Sequence, residues 1–336
     1  MSVFIIAEAG VNHNGDAERA LDMVATAAGA GADAIKFQTF SAEKLVGPKA
    51  DKAAYQKRET GEGGQMAMLK ALEMSEDLHV RLIARCAECG IEFMSTPFDE
   101  AAADFLIGLG MKRIKIPSGE LTNHPFLRFL AAKDLPLILS TGMADMAEVE
   151  EAVAVIASVR PGAGRLTVLH CTSNYPAALD EVNLRAMNAI AARTGMPVGY
   201  SDHTLGSEVA VAATALGARV IEKHFTLDRT LPGPDHRASL EPGELKAMIA
   251  QIRGVELALG SDVKAPSPAE LEVRGVARRS VTAARDLAAG TTLGEGDLIL
   301  LRPATGIAPR HLDELAGRTL QRAVEAGTPL AWEDLA

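Results

Sequence analysis

The 336-residue chain carries 34 Lys and Arg against 44 Asp and Glu, a formal net charge of −10, and is 48% hydrophobic but only 4% aromatic. An acidic chain without a basic run argues against nucleic acid or an anionic membrane as partner. No apolar stretch approaches the roughly 20 residues of a membrane span. Ser2-Val3-Phe4-Ile5-Ile6 is too short for a signal-peptide core, and three cysteines in so long a chain fit the reduced cytoplasm. Cys86 and Cys89 form a CxxC inside a helical pattern with no second pair, and read as structural.

Phe4-Ile5-Ile6 opens the chain as a short strand ending in Ala7-Glu8-Ala9-Gly10. An amphipathic helix follows over 18–30, then the strand Ala34-Ile35-Lys36-Phe37-Gln38. Residues 41–66 are polar, contain Pro48, Gly61, Gly63 and Gly64, and read as a long functional loop. Helix and strand then alternate. Strands are predicted at 91–94, 113–116, 136–139, 166–170, 197–200 and 219–222. Helices are predicted at 76–89, 101–109, 125–132, 147–158, 184–193, 206–217 and 241–259. Eight strands, nearly all followed by a helix, imply parallel pairing and an α/β fold of TIM-barrel, (β/α)8, type over 1–262. An open doubly wound sheet is the competitor, but no GxGxxG follows the first strand. Lys264-Ala-Pro266-Ser-Pro268 marks a linker over 263–277. Residues 278–336, broken by many glycines, read as a small β-rich domain with slight helical content near 310–315.

Polar residues recur at the C-terminal ends of the predicted strands: Glu8, Lys36 with Gln38, Ser95 with Thr96, Lys115 with Ser118 and Glu120, Ser140, Ser173, Ser201 with His203, and Glu222 with His224. In a barrel these ends converge on one face, where such folds place their sites. His203 and His224 stand on neighbouring strand ends and can hold a divalent metal. Two imidazoles with oxygen ligands suit Mn2+ or a similar ion, with Mg2+ or Zn2+ as alternatives. Lys36 and Lys115 among hydroxyls make an anion site suited to phosphate plus carboxylate. Glu8 and Glu120 are candidates for acid/base work. An anion site beside a metal that polarises a carbonyl points to carbon–carbon bond formation. His13 reads equally as a third polar group near the metal or as a loop-ordering hydrogen bond, and His170 as a paired core or rim histidine.

These motifs resemble the sialic acid synthase (N-acetylneuraminate synthase) family. The resemblance rests on 7–15 (Ala-Glu-Ala-Gly-Val-Asn-His-Asn-Gly), Lys36-Phe-Gln38-Thr39, Ser95-Thr96-Pro97-Phe98, Lys115-Ile-Pro-Ser118-Gly-Glu120 and Ser140-Thr-Gly-Met143. It continues through His170-Cys-Thr-Ser-Asn-Tyr175, Ser201-Asp-His203-Thr, Glu222-Lys-His224-Phe and Gly233-Pro-Asp235-His236. Arg278-Arg279-Ser280 and Leu301-Arg302-Pro303 resemble the family's antifreeze-like SAF (β-clip) domain. The likeness covers essentially the whole chain.

The resemblance implies a carbon–carbon bond-forming transferase. Phosphoenolpyruvate would condense with the aldehyde form of an N-acetylated amino sugar, releasing phosphate and a nine-carbon 2-keto acid. His203 and His224 would hold the metal. Lys36, Gln38, Thr96, Lys115, Ser118, Ser140 and Ser201 would hold phosphoenolpyruvate; Ser173 stands where some bacterial members carry Asn at that site. Glu8 would orient or deprotonate a water at the metal, and Glu120 would be the second acid/base. Tyr175 and Asp235 would contact the sugar. Arg302 would reach the other subunit's sugar site in a homodimer with swapped SAF domains. His236-Arg237-Ala238-Ser239 fits synthases of N-acetylneuraminate and legionaminate better than those of pseudaminate; within that pair the resemblance puts N-acetylmannosamine, giving N-acetylneuraminate, first and 2,4-diacetamido-2,4,6-trideoxymannose, giving N,N'-diacetyllegionaminate, second. A non-catalytic binding protein would not need the paired lysines and metal-type histidines. A metal-dependent hydrolase would call for a fuller set of protein ligands than surrounds His203.

Overall fold

Every barrel strand places its inward residues two apart, and that period sorts the interior into layers. The computed structural model describes residues 2–161 and 165–336. In order, β1 (Phe4–Gly10), α1 (Ala17–Ala30) and β2 (Ala34–Thr39) lead into three short helices, α2 (Ala42–Leu45), α3 (Ala54–Thr60) and α4 (Gln65–Lys70). Then come α5 (Glu76–Cys89), β3 (Glu92–Pro97), α6 (Glu100–Gly108), β4 (Ile114–Ile116), α7 (His124–Ala131), β5 (Leu137–Ser140) and α8 (Met146–Val159). The unit finishes with β6 (Leu166–Cys171), α9 (Ala186–Thr194), β7 (Val198–Asp202), α10 (Glu208–Ala215), β8 (Val220–His224) and α11 (Pro242–Leu259). The strands pair in parallel in the order β3-β2-β1-β8-β7-β6-β5-β4, and β3 packs against β4, closing a (β/α)8 barrel.

Helix starts follow the expected chemistry. Asp16, Ser75, Asp99 and Asp145 each accept backbone N–H bonds at the first turns of α1, α5, α6 and α8, and Gly31 and Gly90 close α1 and α5 in left-handed conformations. Inside the barrel, Ile6, Ala34, Met94, Ile138, Leu169 and Val220 form a small apolar plug. Two residues further along the same strands stand Glu8, Lys36, Thr96, Ser140, Cys171 and Glu222. The alternate residues, among them Ile5, Ile35, Ile114, Leu139, Tyr200 and Ile221, pack outward against the helices. Gly199 is required where strands crowd: a Cβ there would lie 2.3 Å from the Val220 carbonyl oxygen and 2.7 Å from Leu169 Cδ2.

Two expectations change. Residues 41–66 carry α2, α3 and the start of α4 rather than open loop, footed on a cluster of Val11, Phe40 and Leu72 with Phe98 packed against it. The Lys52 ammonium is buried beneath the end of α3, donating to the Thr60 hydroxyl (2.9 Å) and the Gly61 carbonyl (3.0 Å), a cation at a helix C-terminus. The expected linker is helical from Pro268. In α12 (Pro268–Ala277), Ser267 and Glu270 cap each other's backbone N–H, and Pro268 occupies the first turn, where proline lacks no needed donor.

The chain divides into two compact units, Met1–Gly260 and Ser261–Ala336. The second holds α12, an antiparallel pair β9 (Ser280–Ala283) and β10 (Leu298–Leu301), isolated bridges such as Leu287–Val324 and Thr292–Thr319, and the single turn α13 (Leu312–Leu315). Its own core is Val281, Leu287, Leu293, Ile307, Leu315, Leu320, Val324, Leu330 and Leu335. Among the described residues no helix is long and apolar enough to cross a membrane.

Candidate active site

The strand register brings the polar layer together. Glu8 pairs with Lys36 on one side and with His224 on the other, Gln38 with Thr96, and Ser201 with both Cys171 and Glu222. Above this layer lies a cavity of about 410 Å³, lined from the strands and the turns that follow them by Lys36, Gln38, Thr96, Lys115, Ser118, Ser140, Ser173, Ser201 and His203. Its far wall is Tyr175 with Ala53, Tyr55, Gln56 and Gln65 from the inserted segment. The size suits a small-molecule site.

The floor is an ionic network in a dry setting. Lys36 Nζ lies 2.6 Å from Glu8 Oε2, 3.7 Å from Glu222 Oε2 and 2.9 Å from Thr96 Oγ1. Lys115 Nζ lies 3.1 Å from Glu222 Oε1, which also accepts a bond from the Ser201 hydroxyl at 3.1 Å. Environment drives the two carboxyls apart. Burial pushes Glu8 up, against the pull of Lys36 and helped by the charge of Glu222, to about 7. Burial acts on Glu222 too, but Lys115 and Lys36 outweigh it and hold that carboxyl below its ordinary range. Lys36 is raised: burial opposes its charge, and Glu222 and Glu8 more than compensate. Glu8 therefore titrates near neutrality while Glu222 stays ionised, the separation expected of an acid/base group and a fixed charge.

The histidines fit a metal. Burial lowers His203 to about 4 and His224 well below the ordinary range, so both rings are neutral. His203 donates its Nδ1–H to the Thr172 carbonyl at 2.7 Å, leaving Nε2 unprotonated, with only a long 3.5 Å contact to the Ser201 hydroxyl. His224 Nδ1 is buried without a partner, and the two ring centroids are 5.5 Å apart. Gly10, at φ +53°, leaves room beside them: a Cβ would lie 3.3 Å from both Glu8 Oε1 and His224 Cε1. Among the described residues no group of three or more His, Cys, Asp or Glu side chains is arranged to hold an ion. Further ligands would be water or substrate oxygens. Behind the site, Lys223 and Asp202 form a fully buried pair at 2.8 Å, with Lys223 also donating to the Thr204 carbonyl, which fixes the strand ends bearing both histidines.

The remaining candidates fall as follows. Ser140 Oγ is buried with no partner, a hydroxyl free to meet a ligand. Gly142 donates its N–H to Ser118 Oγ at 2.9 Å, and a Cβ there would lie 2.1 Å from Ser173 Oγ, so only glycine keeps these hydroxyls accessible. Tyr175 lies against His203, ring centroids 4.1 Å apart. Asp235 is buried, raised by that burial to about 6, and its charge acts on Tyr55 and Tyr175 without lining the cavity. Glu120 sits in the turn after β4, bound by Asn123 at 2.6 Å and outside the cavity lining. Arg302 is exposed at the end of β10 in the second unit. His13 accepts the Gly15 N–H, and His170 donates to the Val182 carbonyl. Cys86 and Cys89 are free thiols of α5, with burial pushing Cys86 up to about 12.

Sequence reasoning did not assign Glu222 a role in the site and missed Tyr55, Gln56 and Gln65. The parity of Glu222 with His224 was a usable signal. Tyr55 carried none: it is placed by stacking on Tyr175 at 5.1 Å.

A profile described as the NeuB family matches residues 23–264, and one described as a SAF domain matches 278–336. The chain belongs to the NeuB family. It is 53% identical to an N,N'-diacetyllegionaminic acid synthase of Legionella pneumophila, over 100% of this chain and 95% of that one. It is 46% identical to the synthase of the same name from Campylobacter jejuni, over 94% of each. Among solved structures it is similar to an N-acetylneuraminic acid (sialic acid) synthetase from Leptospira borgpetersenii, in complex with citrate, at 36% identity and a TM-score of 0.73, over 81% of this chain and 90% of that one.

Proposed function

We propose that this NeuB-family chain is an N,N'-diacetyllegionaminic acid synthase, joining phosphoenolpyruvate to 2,4-diacetamido-2,4,6-trideoxymannose. The observation that carries the sugar is its 53% identity, end to end, with the Legionella enzyme of that name. This reverses the order in which the resemblance put the two sugars. The N-acetylneuraminate reading stands second, on the likeness to the Leptospira synthetase.

Lys36 and Lys115 neutralise the phosphate and carboxylate of phosphoenolpyruvate, and Gln38, Thr96, Ser118, Ser140, Ser173 and Ser201 complete the cradle. His203 and His224 would hold a divalent ion such as Mn2+, which would supply Lewis-acid polarisation of the sugar's aldehyde carbonyl. The cradle directs C3 of phosphoenolpyruvate at the aldehyde carbon. As the C3–C bond forms, water adds at C2; the C2–O bond then breaks and phosphate leaves with that oxygen. Glu8, poised near neutrality, exchanges the proton with that water, whereas Glu120, held by Asn123 outside the cavity lining, is left without the acid/base role read from the sequence. Tyr175 faces the sugar, Asp235 acts from behind through its charge on Tyr55 and Tyr175, and the partner subunit's Arg302 completes the sugar site in a swapped homodimer. Three free thiols fit a cytoplasmic setting.

The test is phosphate release from phosphoenolpyruvate with Mn2+, offering each sugar separately, with and without chelator. The expected result is release with the diacetamido sugar, little with N-acetylmannosamine, and none with chelator. Preference for N-acetylmannosamine transfers the assignment to the second reading. Release that survives metal removal contradicts the metal's role.

A further inference from the structure

Glu222 poses a question that the reaction does not answer. The cavity is lined by two lysines suited to anions, yet a carboxylate lies directly under these cations. Glu222 is 3% exposed and does not line the cavity, whereas Lys36, Lys115 and Ser201 do. Its two oxygens are divided between the lysines, Oε1 at 3.1 Å from Lys115 and Oε2 at 3.7 Å from Lys36. The Ser201 hydroxyl holds Oε1 in place. Among the described residues Lys115 has no other acidic partner, while Lys36 also has Glu8 at 2.6 Å. Packing does not demand a carboxylate here, since the plug residue Val220, two positions earlier on the same inward face, is apolar.

Charge counting gives the consequence. Two buried ammoniums face two carboxylates, one of them the proton-exchanging Glu8. Without Glu222, Lys115 is a buried cation with no countercharge, a costly state unless an outside anion supplies one. We infer that Glu222 is a resident counter-anion: it balances Lys36 and Lys115 when no substrate is present, and by sharing them it loosens the cavity's hold on phosphoenolpyruvate and on departing phosphate. It acts through the two lysines and is a positioning residue. The inference rests on the reading of this cavity as the phosphoenolpyruvate site and adds a reason why product phosphate leaves.

The test is Glu222→Gln, which keeps size and a hydrogen-bond acceptor but removes the charge. Two quantities are read on the full-length protein: the melting temperature with and without inorganic phosphate, and the inhibition constant for phosphate against phosphoenolpyruvate. The expected variant melts lower than wild type without phosphate and gains more from it. Its inhibition constant is lower by up to roughly 100-fold, as for unit charges about 6 Å apart at an effective dielectric of about 20. A purely structural role lowers the melting temperature without enlarging the phosphate response, and that result overturns the inference. So does a weaker phosphate inhibition. Glu222→Asp retracts the carboxylate by one methylene and falls between the two. If the Gln variant does not fold, the Asp variant decides: tighter phosphate supports the inference, and equal or weaker phosphate overturns it. A wild-type protein that responds to neither phosphate nor phosphoenolpyruvate removes the anion site itself, a failure distinct from the first two.

Discussion

Lys36, Lys115, Ser140 and Ser201, on the floor of the cavity, stand on barrel strands and are 2–4% exposed. Tyr55, Gln56 and Gln65, on its roof, stand on two short helices and are held by few bonds. Arg58 donates to the Tyr175 carbonyl at 3.2 Å, Arg237 to Glu59 at 3.3 Å, and Tyr55 stacks on Tyr175. The floor is fixed by backbone ladders and buried ion pairs, so its geometry survives changes above it. The roof is an insertion footed on a small apolar cluster, and can be rebuilt without disturbing the strands.

The sharpest way to break this contrast is Lys36→Met. It removes the cation shared by Glu8 and Glu222, and kcat/KM should fall roughly 10²- to 10³-fold with any sugar. A loss confined to one sugar would contradict a common floor. Glu8 gives a pH signature next in size. A carboxyl accepts a proton only when ionised, and its ionised fraction grows with pH. Activity limited by Glu8 as base should therefore rise through about pH 7 and level above it. Glu8→Gln should erase that limb, which a pH–rate profile would show. On the roof, Tyr55→Ala should raise KM for the sugar roughly tenfold and leave KM for phosphoenolpyruvate within about twofold. Equal effects on both substrates would mean that roof and floor are not separate. Smallest is Arg58→Ala, an exposed strap, costing under about 1 kcal/mol in urea unfolding.

The same contrast sorts what was legible in the sequence. Their place at the C-terminal ends of predicted strands put Lys36, Lys115, Ser140, Ser201, His203 and His224 on one face, because the parallel strands of a barrel bring those ends together. The union of Glu222 with two lysines from β2 and β4 was not legible, since it depends on reach across the barrel rather than on spacing. Nor was α3: Pro48 and three glycines hide a helix fixed by Lys52 beneath its end and by the Tyr55–Tyr175 stack. Prolines 266 and 268 read as a linker, although proline in a first turn starts a helix as readily as it ends one. The sugar order was hard to read for a related reason. The motifs describe the floor and carry no signal for the substituents at C4 and C6 that distinguish the two sugars.

The most direct measurement is a competition. The enzyme is given phosphoenolpyruvate, Mn2+ and equal amounts of 2,4-diacetamido-2,4,6-trideoxymannose and N-acetylmannosamine, and the products are identified by mass. The account predicts N,N'-diacetyllegionaminic acid as the dominant nine-carbon product, with one phosphate released per molecule formed. Dominance of N-acetylneuraminic acid, or phosphate released without any nine-carbon acid, would contradict it.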